Sequence, residues 1–300
     1  MSSSRKHGLL ALTSIATAFA LALTGCGGGN TAGGTGGKIN VVASTDVWGS
    51  VLAAVGGDDV QVTSIIHDPQ ADPHSYETTA QDAIAAQSAQ LTLANGGGYD
   101  DFFGKLADQA ANAKKLVAVD ITATGDENEH VWYDFAGVQK VADQVATELG
   151  QIRPADAQKF TSNATAFKAK VADLQTKAEQ AGTAHPGSKV IATEPVAHYL
   201  LETAKITDAT PEEFSHAVEE ETDVPAAALA EVNTLITEKQ VKAVVNNAQT
   251  VTPVTQQVID NAKNAGLPVV DVTETLPQGA TDYISWMTSQ VNALAGALNS

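Results

Sequence analysis

The sequence predicts an α/β protein of two α/β lobes with largely parallel sheets, joined by one long, rigid spacer helix. Three observations predict it. Short β-type runs alternate with helix-length runs, the pattern of parallel strands linked by crossover helices. The alternation occurs twice, on either side of a pattern from Ala155 to Ala181 in which Phe160, Ala164, Phe167, Val171 and Leu174 recur at helical spacing. Candidate ligand residues follow strand-like runs in both halves, which is where open α/β sheets bind ligands. A buried core helix is the competing reading of residues 155–181.

The leader comes first. Residues 1–25 carry Arg5-Lys6-His7 and then an apolar stretch from Leu9 to Leu23, interrupted by Thr13, Ser14 and Thr17, which is too short and broken for a stable span. It reads as a signal peptide. Leu23-Thr24-Gly25-Cys26 sets small residues before the only cysteine of the chain, as in a lipobox, which makes Cys26 the lipid attachment site and the first mature residue. A signal-peptidase site with an unused thiol explains that placement poorly, because a lone cysteine forms no internal disulfide and a free thiol is a liability in an exported protein. Residues 26–37 are Gly-rich and form a flexible tether.

Composition bounds the body. With 43% hydrophobic, 17% charged and 5% aromatic residues, the chain can bury one large or two modest cores. A formal charge of −18 argues against nucleic acid and attracts cations, although such charge is also an ordinary solubility device.

In the first lobe, 38–152, Lys38 to Ala43 is strand-like and Val47 to Val55 is a helix ended by Gly56-Gly57. Val60 to Ile66 is a strand leading into the loop of His74, and Thr79 to Ser88 is a helix whose Thr79 and Asp82 are spaced as a capping box. Leu91 to Ala94 is a short strand closed by Asn95-Gly96-Gly97-Gly98, and Asp100 to Ala111 is a helix. Leu116 to Ile121 is read as a strand whose exit leads to His130, and Phe135 to Leu149 as a helix. The spacer occupies 153–186, starting at Arg153-Pro154. In the second lobe, 187–300, strands at Lys189 to Ala192, Ala243 to Val245 and Pro268 to Val270 alternate with helices at Val196 to Ala204 and Pro225 to Glu238, a helix capped by Thr252 with Pro253 at its first position, and a terminal helix to Leu298.

Four residues stand out as metal ligands. His74 lies in Asp72-Pro73-His74-Ser75-Tyr76-Glu77, an imidazole between carboxylates on a Pro-stiffened loop, and Glu129-His130-Val131-Trp132-Tyr133-Asp134 partly repeats that environment. A neutral imidazole is a firmer ligand when its second nitrogen donates to a neighbouring acceptor, so nearby acids suit it. Glu194 follows one strand of the second lobe and Asp271 another, so two ligands from each lobe converge if the strand ends face each other. Any one of them is ordinarily a surface or core residue; the coincidence of four carries the argument. His198 competes with Glu194, but Pro195 starts the helix after Glu194 and leaves it at the strand exit. His67 and His185 read as loop and linker residues, and His216 as part of a solvated acidic loop among Glu212, Glu213, Glu219, Glu220, Glu221 and Asp223.

These motifs, with Thr193-Glu194 before His198-Tyr199 and Gly266-Leu267-Pro268-Val269-Val270-Asp271, give a chain that resembles the zinc- and manganese-type solute-binding lipoproteins of bacterial ABC importers over nearly its whole mature length. The resemblance implies a metal held between two lobes by His74, His130, Glu194 and Asp271, delivery to an ABC importer permease, and a lipid anchor on the extracytoplasmic face of the membrane. A monomer is expected. Many relatives carry His where this chain has Glu194, and zinc-type members often insert a His-rich acidic loop between the first two ligands; neither feature is present here. Two imidazoles and two carboxylates suit Mn2+ or Fe2+ better than a His-rich tetrahedron would, with Zn2+ a close rival because it binds more tightly at almost any such site. An exported metalloenzyme is the alternative of another class, but the sequence has no helical His-Glu-x-x-His run, and four protein ligands close a site against catalysis. A sugar or peptide cleft would be richer in aromatics than three Trp and five Tyr allow.

Overall fold

The structure is a computed structural model that describes residues 37–71 and 73–300. Cys26, the leader, most of the tether and Asp72 lie outside the described residues. The first half runs β1 (Ile39–Thr45), α1 (Asp46–Gly56), β2 (Val60–Ile66), α2 (Ala80–Gln87), β3 (Leu91–Ala94), α3 (Asp101–Ala107), β4 (Lys114–Val117), α4 (Ala118–Thr122) and α5 (Phe135–Ile152). After a single 3₁₀ turn comes α6 (Ala157–Ala184). The second half runs β5 (Lys189–Ala192), α7 (His198–Ala204), β6 (Thr207–Asp208), α8 (Glu212–Glu219), α9 (Ala226–Thr237), β7 (Ala243–Asn247), α10 (Pro253–Asn264), β8 (Val269–Val272) and α11 (Tyr283–Leu298).

Central strands are apolar on both faces because helices cover both faces of a parallel sheet. β1 buries all but one of its residues, and β7 buries every one. The sheets have orders β2-β1-β3-β4 and β6-β5-β7-β8, all neighbours parallel. The order is the same in both halves, so each sheet changes direction beside its first strand, between β1 and β3 and between β5 and β7. Such a switch point opens a crevice at the carboxyl ends of the strands.

One hydrophobic core runs from Ile39 to Leu298 and takes in the inner faces of both sheets, while separate clusters cover their other faces. Residues 37–300 accordingly form one compact unit. α6 is continuous, and Phe160, Ala164, Phe167, Val171, Leu174, Ala178 and Gly182 form its buried stripe. That stripe packs on α1 and α5 of the first half and on α7 and α11 of the second. The helix thus joins the halves and is itself core along one face. Tyr283 at the start of α11 donates through its hydroxyl to Trp132 O at 2.7 Å, and Tyr133 donates to Thr273 O at 2.9 Å, tying the second half to the first. Among the described residues no helix is long and apolar enough to cross a membrane.

The sequence reading lacks the edge strand β6 and ends β8 early, at Val270, and two further elements differ in kind. Leu116 to Ile121 is not all strand: β4 stops at Val117, and the buried residues Leu116, Ala118 and Thr122 shift from strand spacing to helical spacing. Ala123, in the left-handed region at φ 49°, ends the short α4. The acidic run around His216 is not a loop either. Phe214, Ala217 and Val218 are buried on one side of α8, so the helix is held by three apolar residues that its acidic neighbours obscure.

Gly182 marks a close approach of α6 to the second half, where an added Cβ would lie 1.4 Å from Ala204 O. Backbone cannot yield there as a side chain could. Gly182→Ala should therefore destabilise the protein by about 3 kcal/mol in denaturant unfolding, against a few tenths for an exposed substitution such as Thr183→Ala.

Candidate metal centre

His130 ends the loop after α4 and is 2% exposed. Asn128 sets its orientation. The Asn128 amide nitrogen donates to Pro195 O at 3.1 Å, which turns Oδ1 toward His130, where it accepts from the backbone N–H at 2.9 Å and lies 3.1 Å from Nδ1. An amide oxygen only accepts, so the proton sits on Nδ1 and Nε2 keeps its lone pair for a cation. Trp132 packs edge-on against the ring at 5.2 Å. Burial pushes the His130 pKa down to about 4, so the ring is neutral at physiological pH.

His74 lies on the loop between β2 and α2, beside the buried Pro73, and its ring stands edge-on to Tyr99 at 5.1 Å. Tyr99 is itself fully buried and also meets His130 edge-on at 6.3 Å, so one aromatic ring supports both histidines. His74 Nε2 is 3.4 Å from Glu129 Oε1.

The second half contributes buried carboxylates. Glu194 lies two residues beyond β5 in extended backbone, is 6% exposed, and accepts from Asn247 Nδ2 at 3.0 Å and from the Thr250 hydroxyl. Glu274 lies two residues beyond β8, is 4% exposed, and accepts from the same Asn247 Nδ2 at 2.7 Å. Asn247 ends β7, the strand between β5 and β8, so one amide on the middle strand reaches the acids past both neighbours. Gln249 spans the halves: its amide nitrogen donates to Pro69 O at 2.7 Å and to Thr275 Oγ1 at 2.8 Å, while its oxygen accepts from Glu274 N.

The structure does not bring Asp271 to this place. Val270 and Val272 flank it inside the core, so alternation along β8 turns Asp271 to the opposite, exposed face, where it accepts from Asn246 Nδ2 at 2.8 Å.

 

Glu274, three residues further on, occupies the position expected of Asp271. His198 is also elsewhere, with Nε2 at 3.2 Å from Asp126, and neither His67, His185 nor His216 lines the cleft. His74, His130, Glu194 and Glu274 line one cleft of about 650 Å³ together with Glu129, Glu219, Glu220 and Glu221, and among the described residues no Lys or Arg lines it. Glu219 is partly buried there; burial first, then Glu129 and Glu194, raise its pKa to about 7.

Residues 41–297 match the family described as zinc-uptake complex component A, periplasmic. The chain belongs to this family. Its members and relatives are substrate-binding transport proteins for metals, and the chain is a metal-type ABC transporter substrate-binding protein, not an enzyme. It is 26% identical over 284 residues to the manganese-binding lipoprotein MntA of Bacillus subtilis (strain 168), covering 87% of each chain. It is 27% identical over 146 residues to the iron-binding protein YfeA of Yersinia pestis, covering 46% of this chain and 47% of that one. The fold matches the periplasmic zinc-binding protein TroA from Treponema pallidum with a TM-score of 0.74 at 17% identity, over 87% of this chain and 99% of that one. It also matches the FpvC protein of Pseudomonas aeruginosa in complex with Mn2+, with a TM-score of 0.71 at 19% identity, over 87% and 98%. Several of the family's relatives are named as lipoproteins, in keeping with a membrane-anchored extracytoplasmic protein.

The neutral state of His130 has a consequence for stability. Its folded pKa of about 4 lies below the ordinary 6.5, so between these values the unfolded chain takes up a proton that the folded chain does not. The metal-free protein should lose on the order of 3 kcal/mol through this group as pH falls from 6.5 to about 4. Denaturant unfolding across that range should show a shallower loss for His130→Gln than for the parent.

Proposed function

We propose that the protein captures one divalent transition-metal ion at His74, His130, Glu194 and Glu274, outside the cytoplasmic membrane, and delivers it to an ABC importer permease. The observation that carries this reading is the convergence of two imidazoles and two buried carboxylates on one cleft that, among the described residues, no Lys or Arg lines. The imidazoles come from the lobe at 38–152 and the carboxylates from the lobe at 187–300, with the helix of 153–186 between them, so the ion cross-links the lobes. The protein acts as a monomer, held to the membrane by a lipid on Cys26.

Mn2+ is the preferred cargo, with Zn2+ a close second. A carboxylate binding through both oxygens raises coordination above four, which suits Mn2+ and Fe2+, while the intrinsic order of affinities favours Zn2+ at the same donors. Support for manganese comes from the mixed donor set and from the manganese-binding relative that matches most of the chain. A ligand bound only by the folded state stabilises it by mass action, about 4 kcal/mol at a thousandfold excess over Kd.

Titration with Mn2+ and with Zn2+, followed by elemental analysis, should give one ion per chain. Glu194→Ala and Glu274→Ala should each abolish the metal-induced rise in Tm, while Asp271→Ala and His198→Ala should retain it. Loss of the rise in Asp271→Ala with retention in Glu274→Ala would overturn the ligand set.

Fractionation of expressing cells tests the anchor. The parent should sediment with membranes, and Cys26→Ser should be released or remain uncleaved. Normal processing and unchanged membrane association of Cys26→Ser would contradict lipidation.

A further inference from the structure

Four carboxylates of the cleft, Glu129, Glu219, Glu220 and Glu221, are not used by the four-ligand site, and two of them, Glu129 and Glu219, approach His130. Glu129 precedes His130 and its side chain is 17% exposed, against 41% for His74; Glu219 ends α8 and is also partly exposed, whereas the acids Glu194 and Glu274 are buried deeper. Donor atoms of Glu129, His130 and Glu219 lie within 4.8 Å of one another. Their supports are specific. Asn95 Nδ2 donates to Glu129 O at 2.9 Å, and Gly97, at φ 73°, admits the Glu129 side chain where an added Cβ would come within 3.0 Å of it. Val218 and Phe214 are buried in the core of the second half and fix the end of α8 that carries Glu219. His130 is 2% exposed, its Nδ1 is committed to Asn128, and its lone pair belongs to the same cluster.

We propose that Glu129 and Glu219, with His130, form a receiving station outward of the buried Glu194 and Glu274, where a divalent cation binds before it settles in the four-ligand site. The proposal rests on the four-ligand reading above and adds the route to it. Glu129 comes from the first half and Glu219 from the second, so the cation is met from both walls. Three features suit them to a transient stop. Carboxylates are hard donors that accept a hydrated cation and exchange it readily. The carboxyl end of a helix, here α8, adds negative potential. Glu129 Oε1 already lies 3.4 Å from His74 Nε2, so a cation taken up by Glu129 needs only a ligand exchange to reach the imidazole. His130 belongs to both stations and serves as the shared ligand during transfer.

The test is stopped-flow binding of Mn2+ by the full chain, read through tryptophan fluorescence, since Trp132 packs on His130. The variants are Glu129→Gln with Glu219→Gln, and, as a control with the same charge change, Glu212→Gln with Glu213→Gln, which are exposed on α8 and do not line the cleft. The station pair should lower the association rate constant about tenfold at low salt, within the range of electrostatic focusing, while still binding one ion per chain. The control pair should change it less than about twofold. Equal rates for the two pairs would overturn the station. A second measurement uses Glu274→Ala, in which the inner site is broken: weak Mn2+ binding should persist and vanish when Glu129→Gln and Glu219→Gln are added. Absence of that weak binding, or its persistence in the triple variant, would also overturn the station. Full-strength binding by Glu274→Ala would instead overturn the four-ligand reading, so the two failures are distinguishable.

Discussion

Two acids buried side by side constrain the whole molecule. Glu194 and Glu274 accept from a single amide nitrogen, Asn247 Nδ2, at 3.0 and 2.7 Å. Carboxylates brought together out of water repel one another and lose hydration, and neutral donors such as the Asn247 amide and the Thr250 hydroxyl offset only part of that cost. The imidazole of His130 cannot supply the missing charge, because burial keeps it unprotonated. A divalent cation can. The acidity of the surrounding wall, with Glu129, Glu219, Glu220 and Glu221, carries the same bias outward toward solvent.

Topology makes this juxtaposition possible. Because strand order is the same in both sheets, each half presents a switch point, and the loops beyond the strand ends supply the side chains. Asn247 can bridge its two acids only because β7 lies between β5 and β8. The shared core, with α6 packed on helices of both halves, then fixes the distance between the walls. A continuous helix offers few positions that absorb large backbone changes, so the fold favours adjustment of loops and side chains over a large hinge movement. Gln249 is placed to transmit such a movement, since it holds the His74 loop through Pro69 and the Glu274 backbone at once.

Much of this was legible in the sequence. The apolar runs of β1, β2, β3 and β5, the capping box of Thr79 and Asp82, and the Pro195 boundary after Glu194 are local signals, and each has a local physical cause. The sequence marks His74, His130 and Glu194, which line the cleft, for the same reason: each stands on a loop next to residues that suit its chemistry. Asp271 lies away from the cleft by a matter of two residues. The strand was read as ending at Val270, which makes Asp271 its exit, whereas it continues to Val272 and puts Glu274 as far past its end as Glu194 is past β5. Pairing of Asn247 with Val272 sets that end, and pairing is not a local property. The helix α8 was hidden differently, since its three buried residues are outnumbered by acids that sequence patterning assigns to solvent.

The central claim is that one cation sits between the imidazoles and the buried acids. Anomalous diffraction from crystals of the Mn2+-loaded protein, collected at the manganese edge, tests it most directly. The account predicts one strong peak at about 2.0–2.3 Å from nitrogen atoms of His74 and His130 and from carboxylate oxygens of Glu194 and Glu274, within the usual range for such donors. A fully occupied peak at Asp271 or on the surface, with the cleft empty, would contradict it.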